Sequence, residues 1–462
     1  MNLLTEFKKL KRWQQASWIV LVVILFVYFI TLYYSDIIIT YMHSLNFLDC
    51  IRNGNLLGFY EYSVEHPFGG HPADYFISSY ILFGLWNLPC YIVSRSSGEM
   101  QDYVALSSGS LLWCKVLLII FTVLTVRELV KLMKSLDVEI EKALFVFLSS
   151  LFFVLPTYAV AQYDIIQVFF ILWGINRYIK DEGISWRCLL IFSIATSFKA
   201  YAIFALLLLA LLEEKNIIKI IIDVILGGAF TVLSMLPFIK GYMLASSNAN
   251  EGNIGRLSEL AFSLGNEHIS IFWLAFIGLC IVAYLQKKND ITSVVKKYMY
   301  FMLCFFAMYY SFSETNPYTL VMMIPFIIFV MSSRVNMVAN TLLELGMEIG
   351  ITLMFAAHID SCIYLSEMCF GYLSLSKVVV NRFPESILSA YLYGGLTLIA
   401  PITFALFVAC IVGMLIINNP WKKHTTDGAF LICEEKIEIY SRAFRLFVLV
   451  VYFIVAILNV IF

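Results

Sequence analysis

Residues 18–41 read WIVLVVILFVYFITLYYSDIIITY, and this stretch decides the class of fold. Trp18 to Leu32 form an apolar run that, with its flanks, is long enough to cross a bilayer as a helix. A carboxylate, Asp36, follows closely at the end of the run. An ionisable side chain at the mouth of a span is costly to place, which makes Asp36 a candidate for a functional role.

The whole chain has the composition of a membrane protein. It has 462 residues, of which 61% are hydrophobic and 14% are charged, and its mean hydropathy is +0.86. The net charge of -1 gives no indication of nucleic-acid binding, and the ten cysteines form no CxxC pair or zinc-like spacing. No small-residue cleavage site follows the first apolar run, so we interpret that run as a retained anchor. We therefore expect an all-α polytopic membrane protein.

Thirteen apolar stretches are predicted to span the membrane. They lie near 18–34, 104–126, 143–160, 165–180, 187–198, 200–213, 217–238, 269–286, 297–312, 318–333, 341–357, 395–417 and 441–461. Most of the Lys and Arg residues fall in alternate loops. The positive-inside rule then places the N-terminus on the cytoplasmic side.

A further apolar stretch, Tyr75 to Val93, is left out of this count. If it were a span, the basic segment RELVKLMKSLDVEIEK (127–142) would face outward, against the positive-inside rule. We therefore expect a helix or re-entrant element of the first outer loop. A span with a compensating error elsewhere is the alternative.

The segment that follows the first span, SDIIITYMHSLNFLDCIRNGN (35–55), is amphipathic at a helical spacing. One side of the helix carries Asp36, Thr40, His43, Ser44 and Phe47. The other, apolar side carries Ile37, Ile38, Tyr41, Leu45 and Leu48. We expect a juxtamembrane helix that lies along the outer interface with its apolar side toward the bilayer, and that ends at Asn53-Gly54. Asp36 would then face a cavity at the membrane surface. The alternative is that Asp36 only caps this helix.

Two more charged residues are predicted at the same face of the membrane. In PTYAVAQYD (156–164) a proline closes one span, a short polar turn follows, and Asp164 begins the next span. Lys199 lies at the outer end of two short apolar runs, where it could neutralise a lipid phosphate. The alternatives are a helix cap for Asp164 and a lysine that reaches the headgroups for Lys199.

Four stretches, in this order, resemble landmarks of the GT-C superfamily, the integral-membrane glycosyltransferases that use polyprenyl-phosphate sugar donors. They are the Asp36 helix with IRNGNLLGFYEY (51–62) and HPFGGHPADYFISSY (66–80), then PTYAVAQYD, then SIATSFKAYAIFALLLLALLEE (193–214), and finally NPYTLVMMIPFIIFV (316–330). The chain departs from the family in two motifs. His66-Pro67 and His71-Pro72 replace a tandem proline, and Asp164 has no clear DxD around it. A large C-terminal soluble domain is also missing from the pattern, which puts a metal-dependent, oligosaccharyltransferase-like mechanism in doubt.

The resemblance implies a GT-C-like catalytic module in residues 1–334, with a first outer loop at 35–103. Residues 335–462 would add C-terminal transmembrane helices and no separate soluble domain. The implied reaction is an inverting transfer of a hexose or pentose from a polyprenyl-phosphate donor to a hydroxyl group. The acceptor would be a cell-surface glycan, lipid or protein at the outer face of a bacterial cell membrane.

Such a transfer needs a base for the acceptor hydroxyl and cations for the departing phosphate, and the ionisable residues predict both. A carboxylate that is partly removed from water has a raised pKa and suits the base, so Asp36 is assigned this role. Asp164 and His43 would support it or orient the acceptor. The donor phosphate would be bound by Lys199, Arg256 and Arg382. Candidates for the sugar pocket are His66, His71, Asp74, Glu314, Asn316 and Tyr318.

Several alternatives stay open from the residues alone. One is that the site holds a divalent cation, Mg²⁺ or Mn²⁺. His66 with His71 would be a minimal pair of ligands for a metal, although loop histidines without further ligands more often bind neither a sugar nor a metal. A secondary transporter or lipid flippase would also be polytopic, but it usually has repeated halves or matching broken helices, which are not evident here. A polysaccharide polymerase is a third alternative, although such enzymes tend to elaborate a late outer loop rather than the first.

Overall fold

A computed structural model describes residues 7–33, 35–68, 70–96, 108–246, 257–264, 267–287, 290–313, 317–332, 337–356, 387–421 and 434–461. Within these ranges the chain is almost entirely helical. In the N-terminal half the helices are α1 (Arg12–Thr31), α2 (Ser35–Arg52), α3 (Phe59–Glu65), α4 (Ile77–Ser96), α5 (Ser108–Ser135), α6 (Ile140–Ser149), α7 (Leu151–Val154), α8 (Asp164–Lys180), α9 (Trp186–Thr196), α10 (Tyr201–Glu213), α11 (Ile217–Met235) and α12 (Ile239–Ala245).

The remaining elements include the β-structure of the described chain. A hairpin of β1 (Ala261–Leu264) and β2 (Glu267–Ser270) pairs antiparallel, with Ala261 opposite Ser270. It is followed by α13 (Ile271–Tyr284), α14 (Ile291–Phe312), a 3₁₀ turn (Pro317–Met322), α15 (Ile324–Ser332), α16 (Met337–Ala356), α17 (Ile387–Ile417) and α18 (Glu434–Ile461). The hairpin lies in the long polar loop that precedes α13.

The prediction of an all-α polytopic membrane protein is confirmed in its coarse form. By length and composition, six described helices can cross a membrane: Arg12–Thr31, Ile77–Ser94, Gly109–Ser135, Ile217–Ala245, Ile291–Phe312 and Leu398–Ile417. The pair Ile140–Ser149 and Leu151–Ala159, bent by 58°, adds a seventh if it is one span. Each of the thirteen predicted spans falls on helix, but several of these helices are shorter than a full crossing. The figure of thirteen therefore stays a prediction.

The bend between α6 and α7 has a local cause. Ser150 has an extended backbone between the two helices, and its side chain caps α7 by accepting a hydrogen bond from the Phe152 amide at 3.2 Å. A π-helical turn, Leu155–Ala159, follows with Pro156 near its start. Ala161 then takes a positive φ of 62°, and α8 begins at Asp164. The predicted proline, polar turn and helix head are therefore present.

The amphipathic helix after the first span is confirmed as α2, but its predicted surroundings are wrong. It runs from Ser35 to Arg52, and Gly54 closes it with a positive φ of 69°. Ile37 and Tyr41 on the apolar side are buried in the protein core, and so are His43 and Ser44 on the polar side. Other helices cover both sides of α2, so its apolar side does not lie on the bilayer.

Helix α4 corresponds to the stretch that was left out of the predicted spans, and it is long and apolar enough to cross a membrane. Asn87 donates a hydrogen bond to Ser44 of α2 at 3.0 Å, and the Trp86 ring stacks on Trp113, near the start of α5, at 4.7 Å. At its other end, the Ile77 amide donates to the sulfur of Met235 in α11 at 3.2 Å. Helix α4 therefore contacts both the first loop and two candidate spans, and its assignment to the first loop stays a prediction.

The side chain of Lys115, on α5, forms hydrogen bonds to the end of α1. The side chain is buried, and its Nζ donates hydrogen bonds to the carbonyl oxygens of Phe29 and Leu32, each at 2.5 Å, and of Tyr158 at 3.3 Å. Carbonyl groups at the end of a helix lack partners within it and carry partial negative charge. The carboxyl end of α1, just before Asp36, therefore supplies two of the hydrogen-bond partners of this lysine.

Candidate functional site

Asp36 occupies the first turn of α2, immediately beyond the end of α1. It is partly buried, and the amide of Gln162 donates a hydrogen bond to its Oδ2. Burial first, and then the negative charge of Asp74, raise the pKa of Asp36, whereas the charge of Lys199 and the Gln162 hydrogen bond lower it. The net result is a pKa of about 7. Asp36 therefore changes its ionisation near neutral pH.

Asp164 and Lys199 form an ion pair, with Lys199 Nζ against Asp164 Oδ1. The carboxylate is buried at the head of α8, whereas the lysine side chain keeps 15% of its surface exposed. Burial opposes the charge on Lys199, yet the Asp164 carboxylate raises the pKa of this lysine above its ordinary value. Asp164 therefore holds a charged lysine close enough to Asp36 for the two charges to interact.

The backbone around Lys199 is held by α8 as well. Gln167, one turn after Asp164, donates hydrogen bonds from its amide to the carbonyl oxygens of Lys199 and, at 3.3 Å, of Ala195. The Lys199 Nζ lies 5.3 Å from the Tyr163 ring centre and 5.8 Å from the Tyr75 ring centre. Aromatic faces attract a cation at this range. The lysine is thus fixed by one carboxylate and two rings.

Asp74 brings a third carboxylate to the site from the first loop. It is exposed, and its charge acts on both Asp36 and Lys199. The assignment of Asp74 to a sugar pocket stays a prediction. Three carboxylates and one lysine therefore share this end of the helical bundle.

His43 contacts the part of the first loop that carries Asp74. Its Nε2 lies 2.9 Å from the carbonyl oxygen of His71, and its ring packs edge-on against Phe68 at 5.1 Å. Burial lowers the pKa of His43 to about 4, so the ring is neutral. The predicted role of His43, to support Asp36 or to orient an acceptor, stays a prediction.

His66 and His71 make local contacts. The His66 ring stacks on Tyr62 at 4.2 Å, and His71 pairs through its backbone with Phe68. Both side chains are exposed. Within the described part of the chain, no group of three or more His, Cys, Asp or Glu side chains is placed to hold a metal ion. Arg256, Arg382, Glu314, Asn316 and the side chain of Tyr318 lie outside the described residues.

Sequence reasoning missed two features. The first is Gln162, which joins the Asp164 turn to Asp36; the signal was an amide two residues before Asp164 in a turn that is otherwise mostly apolar. The second is a buried charged cluster of Glu344, Glu348 and Arg445. Its signal was a pair of glutamates four residues apart in TLLELGMEIG (341–350), which puts both on one face of an apolar helix.

Comparisons with protein families, with curated proteins and with solved structures find no match for this chain. The geometry of the site therefore carries the functional argument.

Proposed function

We propose that this protein is a membrane glycosyltransferase of the GT-C type, which moves a sugar from a polyprenyl-phosphate donor to a hydroxyl acceptor. The observation that carries the proposal is the convergence of Asp36, Asp164 and Lys199, which are far apart in the sequence, at the end of an apolar helix.

Asp36 acts as the general base in this proposal. A carboxylate with its ordinary pKa is a weak base at neutral pH, whereas one with a pKa of about 7 accepts a proton more readily and is still about half ionised. The Gln162 hydrogen bond orients the carboxylate through Oδ2 and leaves Oδ1 for the acceptor hydroxyl. The proton moves from the hydroxyl to Asp36 as the new glycosidic bond forms.

Lys199 acts on the leaving group. The bond from the sugar to the phosphate breaks, the lipid phosphate keeps the electron pair, and a nearby cation stabilises the charge that develops. Lys199 supplies this cation, and the carboxylate of Asp164 favours its charged form. Asp164 is therefore a positioning residue in this scheme.

The lipid donor explains why such a site lies next to an apolar helix. The polyprenyl chain stays in the bilayer, so its phosphate reaches the protein at the membrane surface. Asp36 follows the end of α1, which is apolar enough to cross the membrane. Reacting groups at this junction meet a lipid phosphate from one side and a water-soluble acceptor from the other.

The test is sugar transfer by membranes that contain the protein, with a panel of radiolabelled polyprenyl-phosphate sugars. We expect Asp36→Asn to lower the transfer rate by about 10²–10⁴-fold, the usual loss when a general base is removed. Glu65→Gln, an exposed change in the same loop, should leave the rate unaltered. Full transfer by Asp36→Asn would refute the base assignment.

A transporter or flippase is the second candidate, and one observation favours it. Glu344, Glu348 and Arg445 are buried among the helices, and ionisable residues within membrane helices often mark a transport pathway. If no donor in the panel is consumed, while vesicles containing the protein translocate a lipid-linked or small polar substrate, this second function replaces the first.

A further inference from the structure

A charged cluster lies inside the helical bundle and has no part in the proposed transfer. Glu344 and Glu348 lie four residues apart on α16, and Arg445 reaches them from α18. Their exposed fractions are 0%, 2% and 1%. Ser150, at the break between α6 and α7, is also fully buried and completes the cluster.

The hydrogen bonds divide the cluster into two linked parts. Arg445 forms a two-pronged ion pair with Glu344, with Nη1 at 2.9 Å from Oε1 and Nη2 against Oε2. Ser150 donates its hydroxyl hydrogen to Oε1 of Glu348. The side chains of Glu344 and Glu348 also hydrogen-bond to each other. Nε of Arg445 has no hydrogen-bond partner among the described residues, so the cluster has a spare donor as well as a surplus carboxyl.

The balance of charge requires a proton in this cluster. The single guanidinium neutralises one carboxylate, and Glu344 already takes it. A second ionised carboxylate in contact with the first would be an uncompensated charge in a medium of low dielectric constant. Two ionised carboxylates also offer only acceptors, so a hydrogen bond between them exists only if one of them is protonated. Glu348, which Arg445 does not pair with, is the one that carries the proton.

We propose that Glu348 is a proton-binding site inside the helical bundle, neutral at neutral pH, and that its protonated carboxyl joins α16 to the helix break at Ser150. The groups that face it are Glu344 from α16, Arg445 from α18 and Ser150 from the break. From α17, Cys410 packs against Gly346 and the Thr403 carbonyl against Gly350, one turn or less from the cluster. Among the side chains that the structure describes in these elements, Glu344 and Arg445 are the charged groups that act on Glu348.

One segment of the chain connects this site to the Asp36 site, although the inference does not rest on the proposed function. The break at Ser150 begins the segment that continues through α7 and the π-turn to Gln162 and Asp164. Loss of the Glu348 proton would put two negative charges next to each other on α16, where Glu348 contacts this break. The segment that positions Gln162 starts at the same break.

Infrared spectroscopy of the purified protein tests the proposal directly. The carbonyl stretch of a protonated carboxylic acid is separate from the bands of carboxylates and amides, and it shifts in heavy water. We expect this band in the difference spectrum between the unaltered protein and Glu348→Gln at neutral pH. Glu141→Gln, which alters a glutamate paired with Arg442, should give no such band. A missing band in the Glu348→Gln difference would overturn the proposal.

Thermal unfolding gives an independent readout. An amide mimics the neutral carboxyl, so Glu348→Gln should fold and should melt close to the unaltered protein at a pH below the ordinary pKa of glutamate. As the pH rises from there, the melting temperature of the unaltered protein should fall relative to that of Glu348→Gln, because the unfolded chain releases a proton that the folded chain holds. If Glu348→Gln fails to fold, or if both proteins respond to rising pH alike, Glu348 is not a neutral proton site.

Discussion

Asp36 owes its chemistry to the balance of burial and nearby charges rather than to its residue type. Burial and Asp74 raise its pKa, while Lys199 and Gln162 lower it. The folded-state pKa of about 7 lies above the ordinary value, so ionisation of Asp36 costs folding free energy. This cost is absent at low pH and grows as the pH rises from the ordinary pKa to the raised one.

The pH dependence of transfer should follow from this balance. The base must be ionised, so kcat/KM should fall as the pH drops through about 7. Asp74→Asn removes a neighbouring negative charge, which lowers the pKa of Asp36 and should move the acid limb of the pH profile to lower pH. Lys199→Met should move it to higher pH. The measurement is kcat/KM across the pH range for each variant.

A matched control separates this effect from a general change in charge. Asp181→Asn removes a carboxylate at the far end of α8, where Arg177 pairs with it at 2.8 Å. Its pH profile should coincide with that of the unaltered protein. An acid limb that stays in place in Asp74→Asn would contradict the assignment of the limb to Asp36.

At this scale, sequence reasoning found the candidate residues but not their connections. Asp36, Asp164 and Lys199 stood out because each interrupts or ends an apolar run. The ion pair joins Asp164 at the start of α8 to Lys199 in the turn between α9 and α10, and the hydrogen bond from Gln162 spans 126 positions in the chain. No local pattern encodes such partners.

Among the secondary-structure elements, α16 and α17 make a close crossing that depends on a residue without a side chain. A Cβ atom on Gly350 would lie 2.7 Å from the carbonyl oxygen of Thr403 and 2.9 Å from the amide nitrogen of Phe407. Both of these atoms belong to backbone, so they cannot move aside as a side chain can. Small residues at helix crossings in membranes allow this close approach.

Gly350→Ala should therefore destabilise the protein, by about 1–3 kcal/mol, because the two helices must separate. In an open helical position, the same change would stabilise by about 0.5–1 kcal/mol. Gly278 in α13 provides that position, since nothing lies within 4 Å of its Cβ site. Thermal unfolding in detergent should show a lower melting temperature for Gly350→Ala but not for Gly278→Ala. Equal melting temperatures would mean that the crossing is looser than described.

Helix α2 illustrates what periodicity can and cannot predict. The spacing of polar and apolar residues predicted the helix, and Asn53-Gly54 predicted where it ends. The same spacing was read as one face on the bilayer and one in water. Both faces are instead buried, because α4 and the turn at Phe68–His71 pack over the polar side. Periodicity reports that two faces differ, whereas the partner of each face comes from distant segments.

For the molecule as a whole, the direction of insertion is a prediction from the basic residues. The basic side chains near the end of α5 are exposed, namely Arg127, Lys131 and Lys134. Lys142, later in the same basic segment, is half-buried. The positive-inside rule assigns this segment to the cytoplasm and the first loop to the outside. Helix α4 decides the parity, because counting it as a span would bring both segments to the same side.

Cysteine labelling with a membrane-impermeant maleimide tests this arrangement. His66→Cys and Lys134→Cys both place the new thiol at an exposed position. In intact cells we expect labelling of His66→Cys and none of Lys134→Cys, and in opened membranes we expect labelling of both. The unsubstituted chain gives the background from its own cysteines. Labelling of both variants in intact cells would show that α4 crosses the membrane.

The sequence by itself determined the helical membrane class, the helices and the three charged residues at the ends of apolar runs. Composition and the spacing of residues within short segments predict these features, because the free energy of moving each side chain from water into lipid depends on that side chain alone. Only the tertiary structure decided that Asp164 holds Lys199, that Gln162 orients Asp36, that α2 is covered on both faces and that Glu344, Glu348 and Arg445 meet. Each of these depends on segments that are distant in the chain, and the energy of a buried charge is set by the groups that surround it.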